Sequence, residues 1–321
     1  EFNSGQAPTV NLVNITSTLN ARHGFALANS GRIDNCSADE NTGHGFSAST
    51  NTLMIACTSR LNQLDGFNTN SGCVMSHCSA SVNTGNGFRT GLSCVVQGCT
   101  AASNGLDGYI GQSSIFESCM AYNNTGGGFS LFLGGTVTSC NAYRSGGSGI
   151  SASSQALVSG CTSSENTLTG IVASTGTLVT HCSVNSNSGN GISLSSGAQA
   201  LGCTVVNNVG VGIAASSNAL IRGNGVVNNG GTTANVANIR ITGSDNRVED
   251  NNVADGNIGI EAIVAGNIIV RNTVSGNTVN WSVAAGNSCL AVLATPSAAA
   301  ITGDSGGASP GSTNPYANFT Y

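Results

Sequence analysis

The hydrophobic and polar positions of this chain recur with a 21-residue period, which is one residue shorter in the single step between Gly108 and Gly128. Each repeat is marked by a glycine followed by an aromatic residue or isoleucine, at Gly24-Phe25, Gly45-Phe46, Gly66-Phe67, Gly87-Phe88, Gly108-Tyr109, Gly128-Phe129, Gly149-Ile150, Gly170-Ile171, Gly191-Ile192 and Gly212-Ile213. A cysteine column keeps the same phase at Cys36, Cys57, Cys78, Cys99, Cys119, Cys140, Cys161, Cys182 and Cys203. An asparagine column lies five residues further on, at Asn41, Asn62, Asn83, Asn104, Asn124, Asn166, Asn187, Asn208 and Asn229, with Ser145 as its exception.

A repeat of this length and composition predicts a β-solenoid. Helical repeats are longer, and leucine-rich repeats need several leucines at offsets where this chain has none. Each repeat instead holds short β-like segments between Gly, Asn and Ser corners, so three strands and three turns fit one coil. Stacked coils form parallel, in-register sheets about 4.8 Å apart. We predict an all-β, single-domain solenoid of about 13 coils and three parallel sheets, with the aromatic and cysteine columns inside.

With these stacked rows and the asparagine column, residues 20–290 resemble the right-handed parallel β-helix proteins of the pectin-lyase-like superfamily. The resemblance implies the right-handed sense of the coil, which the period alone does not determine, and an extracellular or cell-surface location. The superfamily includes polygalacturonases, polysaccharide lyases, epimerases, phage tailspikes and many non-enzymes. The triplet Gly43-His44-Gly45 looks like the Gly-His-Gly element of polygalacturonases, but the other catalytic elements of those enzymes are missing here.

The regularity of the repeat divides the chain into four segments. Residues 1–20 are predicted to cap the N-terminal end, and residues 21–230 to form the regular coils. A short insertion after Asn229 leads into less regular coils over 231–294. The segment 295–321 holds three of the four prolines and much Gly and Ser, so we predict a tail that caps the C-terminal end.

Composition and charge restrict the partners. All nine basic residues are Arg, charged residues amount to 7%, and the net charge is −5. Because nucleic acids bind clustered cations, we expect no nucleic-acid partner. No apolar run approaches the roughly 20 residues that span a bilayer, so we expect no membrane insertion. No signal peptide opens the chain at Glu1. We expect a monomer. A polysaccharide is the partner that these observations leave possible.

The cysteine column has the repeat spacing and is not a disulfide or metal pattern. Register neighbours on parallel strands hold their Cβ atoms about 5 Å apart, beyond the separation that a disulfide prefers. We therefore expect buried free thiols that fill space as small apolar side chains. A line of sulfur atoms on one face does not make a tetrahedral metal shell.

Most charged residues have a structural interpretation. Three pairs of opposite charge are separated by one repeat period and are predicted to form ion pairs between adjacent coils. These pairs are Asp39 with Arg60, Arg144 with Glu165, and Asp250 with Arg271.

One column combines titratable side chains. The position before the repeat glycine holds His23, His44, Asp65 and Asp107 on one edge of the N-terminal half. Neighbouring imidazoles and carboxylates exchange protons or bind divalent cations, so these four are the candidate catalytic residues. The alternative is a solvated turn column, because His, Asp and Asn are common beside glycine in turns.

Two further residues are candidates for ligand binding on the same face. Asn68 and Arg89 lie two residues past the repeat glycine, on adjacent coils. We predict no cofactor and no metal site. Calcium binding stays an open alternative, although no motif indicates it. The alternative rests on a loose group of acidic residues at Asp245, Glu249, Asp250, Asp255 and Glu261.

Three functions are compatible with these patterns. Near-uniform coils with short turns favour a non-catalytic rod that acts as a surface or polysaccharide-binding protein. A polysaccharide lyase or glycoside hydrolase is the alternative, supported by the resemblance and by the His/Asp edge. Ice binding is the second alternative, because a Ser/Thr column follows the cysteines, interrupted at Met120 and Asn141.

Overall fold

The computed structural model describes residues 10–28, 30–231, 235–289, 292–294 and 318–320. In this part of the chain every regular element is a β-strand, and the strands are two to five residues long. They assemble into three long sheets of parallel strands, and the chain visits the sheets in turn. The fold is therefore the all-β parallel solenoid with three sheets that the sequence predicts.

The three sheets are called the first, second and third sheet in the order in which the chain enters them. The first sheet contains Val10–Val13, Gly31–Asp34, Leu53–Ile55, Val74–Ser76, Val95–Gln97, Ile115–Glu117, Thr136–Thr138, Leu157–Ser159, Leu178–Thr180, Gln199–Leu201, Leu220–Arg222, Arg247–Glu249, Ile268–Val270 and Ser288–Cys289. The second sheet contains Thr16–Thr18, Ser37–Asp39, Thr58–Arg60, Ser79–Ser81, Thr100–Ala102, Met120–Tyr122, Asn141–Tyr143, Thr162–Ser164, Ser183–Asn185, Thr204–Val206, Gly225–Val227, Asn252–Ala254, Thr273–Ser275, Val292–Ala294 and Asn318–Thr320. The third sheet contains Phe25–Leu27, Phe46–Ala48, Phe67–Thr69, Phe88–Leu92, Tyr109–Gln112, Phe129–Phe132, Ile150–Ala152, Ile171–Ala173, Ile192–Leu194, Ile213–Ala215, Ala237–Ile241, Ile258–Ala262 and Val279–Val283.

The aromatic column forms a continuous stack inside the solenoid. In-register pairing of the third-sheet strands places each ring on the ring one coil earlier. Successive ring centroids are 4.7–4.8 Å apart and their planes lie within 6°. The stack contains Phe25, Phe46, Phe67, Phe88, Tyr109 and Phe129. Ile150 and the isoleucines that follow continue this buried column to the C-terminal coils.

The asparagine column is a buried hydrogen-bonded ladder. The Oδ1 atom of Asn104 accepts bonds from the backbone N–H of Asn83 at 3.1 Å and from its side-chain Nδ2 at 3.0 Å. In turn, Nδ2 of Asn104 donates to the Ala80 carbonyl at 3.1 Å and to Oδ1 of Asn124 at 2.9 Å. Each amide thus satisfies buried polar groups at a corner where the sheet hydrogen bonds are interrupted.

Ser145 is a gap in this ladder. Its hydroxyl oxygen is buried and has no hydrogen-bond partner among the described residues, although its backbone N–H still donates to Oδ1 of Asn166 at 2.9 Å. The shorter side chain does not reach the amide of Asn124, one coil earlier. Asn124 consequently lacks the side-chain acceptor that the next coil supplies elsewhere in the column.

Replacing Ser145 with asparagine should stabilise the solenoid. Gly128 leaves beside position 145 the space that Gly108 leaves beside Asn124, so an amide fits. We expect Ser145→Asn to raise the free energy of unfolding by about 1 kcal/mol, because new hydrogen bonds form to a buried amide. Urea unfolding followed by circular dichroism measures the change. Ser164→Asn, on the outer face of the second sheet, is the control and should have no effect; an equal rise in both variants would contradict the ladder explanation.

Two thiols of the cysteine column, Cys99 and Cys140, accept and donate backbone hydrogen bonds as the asparagines do. Sγ of Cys99 accepts the backbone N–H of Cys78 at 3.2 Å and donates to the carbonyl of Met75 at 3.7 Å. Asn224 continues the column in the same way, accepting the N–H of Cys203 at 2.8 Å and donating to the carbonyl of Ala200 at 3.0 Å. All twelve cysteines are free thiols. The thiols therefore do more than fill space, because their sulfur atoms also hydrogen-bond backbone carbonyls of the coil before.

Two of the three predicted ion pairs between coils are present. Arg144 contacts Glu165 at 2.8 Å, and Arg271 contacts Asp250 at 2.8 Å. The third pair is not formed among the described residues, although Asp39 and its predicted partner are in register. Asp39 is half-buried and keeps one carboxylate oxygen without a hydrogen-bond partner, while Arg60 is exposed, so register alone does not bring the charged groups together.

The predicted terminal segments are described only in part. Strands Val10–Val13 and Thr16–Thr18 already belong to the first and second sheets, and residues 1–9 lie outside the described residues. Of the predicted tail, only Asn318–Thr320 is described. It lies in the second sheet between Thr273–Ser275 and Val292–Ala294. The division of the chain into four segments stays a prediction.

Candidate functional site

The His/Asp column is a ladder of hydrogen-bond acceptors. Nδ1 of His23 accepts the backbone N–H of His44 at 3.0 Å, and Nδ1 of His44 accepts that of Asp65 at 3.1 Å. Oδ1 of Asp65 accepts the N–H of Asn86 at 2.7 Å, and Oδ1 of Asp107 accepts the N–H one coil later at 2.6 Å. One requirement therefore explains the whole column: each side chain must satisfy a backbone donor of the next coil.

His44 and Asp65 form the closest titratable pair of the column. His44 Nδ1 lies 3.4 Å from Asp65 Oδ2, and their side chains are 15% and 7% exposed. The ring of His23 stacks on His44 at a centroid distance of 5.1 Å. Burial lowers the pKa of His44, the nearby Asp65 opposes this shift, and the electrostatic interactions with His23 and Arg89 lower the pKa further. His44 is therefore neutral at pH 7.

The hydrogen bonds also determine where the neutral His44 ring carries its proton. Because Nδ1 accepts the N–H of Asp65, the proton resides on Nε2. Nε2 lies 3.1 Å from Nδ2 of Asn68, and it donates to Asn68 once the amide is turned so that its oxygen faces the ring. Neither ring nitrogen then offers a free lone pair to a substrate, as a general base requires.

The other catalytic candidates do not meet at one point. Four coils separate His23 from Asp107, which amounts to about 19 Å at the spacing of paired strands. The structure brings together His23, His44, Asp65 and Asn68, and it places Arg89 on the coil after Asn68.

Next to this group, a polar groove opens on the outer face of the third sheet. It has a volume of about 510 Å³. Its lining residues are Asn68, Thr69, Asn70, Ser71, Arg89, Thr90, Gly91, Leu92 and Gln112. Both predicted binding residues, Asn68 and Arg89, thus lie in one groove and are register partners on adjacent strands.

A local irregularity of the sheet accompanies the groove. The pairing of strands Phe88–Leu92 and Tyr109–Gln112 shifts register between Thr90 and Leu92. Gly91 lies at this bulge, where a Cβ atom would approach the backbone of Asn70 to 3.0 Å. The shift coincides with the one shortened step of the repeat. That step is the sequence signal that could have located the groove.

Arg89 is the charged residue of the groove. Its side chain points outward between Asn68 and Ile110, and it makes no ion pair within the described part of the chain. Leu92, 45% exposed, adds an apolar surface, and Gln112 adds an amide. Leu92 and Gln112 were not identified from the sequence. Guanidinium and amide groups are hydrogen-bond donors that suit hydroxyl and carboxylate oxygens.

The acidic group of the C-terminal coils is largely engaged by arginines. Glu249 and Asp250 contact Arg271 at 2.9 and 2.8 Å, and Glu261 pairs with Arg240. Over the described residues, no group of three or more His, Cys, Asp or Glu side chains is arranged to hold a metal ion. The described residues also contain no helix that is long and apolar enough to cross a membrane.

The Ser/Thr column proposed for ice binding lies on the outer face of the second sheet. Thr58 donates from Oγ1 to Oγ of Ser37 at 3.0 Å, so two of its hydroxyl groups bond each other. The exposed side chain of Met120 and the neighbouring Asn141 interrupt the column.

Comparisons with known proteins identify the handedness of the coil. Residues 90–210 match a sequence family described as right handed beta helix region. The chain is a right-handed parallel β-helix. No curated protein sequence matches it. The right-handed coil that the resemblance implied is thus confirmed, and it agrees with the usual hand of parallel crossovers.

Solved structures with similar folds include polysaccharide-acting enzymes. The A-module of the mannuronan C-5 epimerase AlgE4 of Azotobacter vinelandii is 16% identical, with a TM-score of 0.55, over 79% of this chain and 87% of that module. The catalytic domain of a GH87 α-1,3-glucanase, solved with nigerose, is 11% identical, with a TM-score of 0.51, over 86% of this chain and 61% of that domain. At these identities the similarity establishes the fold alone.

Proposed function

We propose that this protein is a non-catalytic, polysaccharide-binding rod that binds a glycan chain in the groove beside Arg89. The single observation that carries the proposal is the exposed guanidinium of Arg89 in a polar groove of about 510 Å³. Carbohydrate sites combine a few directed polar groups with an apolar surface for the sugar ring. Asn68, Gln112 and Leu92 supply these features around Arg89.

Binding without catalysis is favoured by the state of the His/Asp column. The acceptor atoms of His44 and Asp65 that face the backbone are occupied by hydrogen bonds from the next coil. A general base needs a lone pair directed at the substrate, and the lone pairs that accept these backbone hydrogen bonds are not available for that role. The structural neighbours that act on polysaccharides support the ligand class, and a location outside the cell or at its surface accords with such ligands.

Arg89→Gln should weaken glycan binding. We expect about a tenfold loss of affinity for whichever member of a polysaccharide panel binds best, because a charge-assisted hydrogen bond is lost. Binding is measured by isothermal titration calorimetry and affinity electrophoresis, with and without calcium. Arg60→Gln is the matched control, because Arg60 is exposed on the second sheet, away from the groove. Equal affinities of the two variants would contradict the placement of the site.

The same panel distinguishes binding from catalysis. New reducing ends and ultraviolet-absorbing unsaturated uronates are followed during the incubation. Release of either product, lost in His44→Ala with an unchanged melting temperature, would contradict the non-catalytic proposal and establish an enzyme. Binding of a polysaccharide without release of either product supports the non-catalytic, polysaccharide-binding rod.

A further inference from the structure

A second cluster of charge lies on the outer face of the first sheet, near its C-terminal end. Three of the nine basic residues of the chain, Arg222, Arg247 and Arg271, surround the carboxylate of Glu249. Arg222 lies on the preceding coil and is the register partner of Glu249. Arg247 belongs to the same strand as Glu249, and Arg271 follows the strand of the next coil.

The carboxylates of this cluster do not neutralise its guanidinium groups. Glu249 is buried, with a side-chain exposure of 6%, and Asp250 contacts Arg271. Among the described residues, three guanidinium groups of the cluster therefore face two carboxylates, an excess of one positive charge. The chain as a whole has a net charge of −5. The cluster is therefore a positively charged patch that attracts anions.

Two of the arginines retain unused donors. Arg247 donates through Nε to Glu249 at 2.7 Å, and its terminal nitrogens make no hydrogen bond to the described residues. Arg222 approaches Glu249 only to 3.9 Å and is 51% exposed. A guanidinium group has five N–H donors, so most donors of Arg222 and Arg247 have no hydrogen-bond partner among the described residues. Strong pairing with Glu249 alone would have brought Arg222 within hydrogen-bonding distance.

The register partners of Arg247 on the neighbouring coils carry no charge. They are Leu220 and Ile268. Neither side chain competes with an anion for the guanidinium of Arg247.

We propose that Arg222 and Arg247 form an oxyanion-binding site for the sulfate esters of a sulfated polysaccharide. The two side chains come from adjacent coils and converge on Glu249, so their free donors approach a ligand from two directions. A sulfate ester presents three exposed oxygens, one more than a carboxylate, and so offers acceptors to both guanidinium groups at once. The site lies on a different sheet from the groove at Arg89, and it does not depend on the function proposed for that groove.

The test uses dextran sulfate as the probe and Arg222→Gln as the variant. Arg222 is chosen because the contacts of Glu249 with Arg247 and Arg271 remain in its absence. We expect native protein to bind dextran sulfate and uncharged dextran to remain unbound. Arg222→Gln should lose about tenfold in affinity, as expected for a charge-assisted contact. Binding should also weaken as the salt concentration rises. Thermal unfolding of the variant verifies that the fold is intact.

Three comparisons make the result decisive. Arg60→Gln should keep the native affinity, because Arg60 is exposed on the second sheet, away from the cluster. If Arg89→Gln lost affinity for dextran sulfate while Arg222→Gln kept it, the proposal would be overturned, because the binding site would then be the groove. Equal affinity for carboxymethyl dextran would overturn the assignment to sulfate, and absence of binding by the native protein would overturn the site itself.

Discussion

Asn104→Leu should destabilise the solenoid by at least about 3 kcal/mol, because several buried polar groups lose their partners at once. The substitution keeps a similar side-chain volume but removes four hydrogen bonds. The lost bonds are those from the backbone N–H and Nδ2 of Asn83 and those to the carbonyl of Ala80 and Oδ1 of Asn124. The midpoint of urea unfolding, followed by circular dichroism, measures the loss.

Asn252→Leu is the control for this prediction. Asn252 is exposed on a strand of the second sheet, between Gly225 and Thr273 in register. Its replacement should change stability little, because exposed positions usually tolerate substitution. If both variants unfolded at the same urea concentration as the native protein, the ladder would contribute nothing to stability, contrary to its burial and bonding.

Phe88→Ala should cost about 3–5 kcal/mol, the range for truncating a buried aromatic side chain. Phe88 is fully buried and stacks between Phe67 at 4.7 Å and Tyr109 at 4.8 Å. Removing the ring opens a cavity that rigid parallel strands on both sides cannot close. Amide hydrogen exchange should also accelerate in the coils on either side, because each coil is stabilised by its neighbours.

The matched control for the aromatic stack is Phe132→Ala. Phe132 belongs to the third sheet, but its side chain is 49% exposed. We expect its truncation to cost less than about 1 kcal/mol, since little apolar surface leaves the interior. Similar losses for the two phenylalanines would mean that the stack does not stabilise the coils as the geometry indicates.

These predictions bear on function because the groove is built on the same coils. Arg89 directly follows Phe88, and strand alternation places the ring inside and the guanidinium outside. Asn68 follows Phe67 in the same way. A rigid interior therefore holds the two binding side chains in a fixed register on the outer face. Binding sites held by packed elements are more precise than sites on mobile loops.

The candidate site was predictable in part. Position in the repeat correctly placed Asn68 and Arg89 on adjacent coils, because register follows directly from the repeat period. The His/Asp column was also placed correctly as a set of neighbours. The presence of Asn86 among its members was the available sign that the column needs hydrogen-bond acceptors rather than acids and bases.

The fold was determined by the sequence itself, because a solenoid repeats one local solution. Strand length, corner residues and interior columns are all encoded within a single repeat, and stacking multiplies the same contacts. The resemblance supplied the handedness, which a period does not encode. The sequence likewise predicted free cysteines, since parallel neighbours on adjacent strands are poorly placed for disulfides.

Only the tertiary structure decided which polar atoms remain available to a ligand. The period places His44 beside Asp65, but hydrogen bonds from the next coil decide that Nδ1 of His44 is occupied. The period equally places Asp39 beside Arg60, yet no ion pair joins them in the described structure, whereas Glu249 attracts three arginines. Register is a property of the backbone repeat and follows from sequence spacing. Side-chain hydrogen bonding depends on rotamers and on neighbours from three coils, which no single repeat contains.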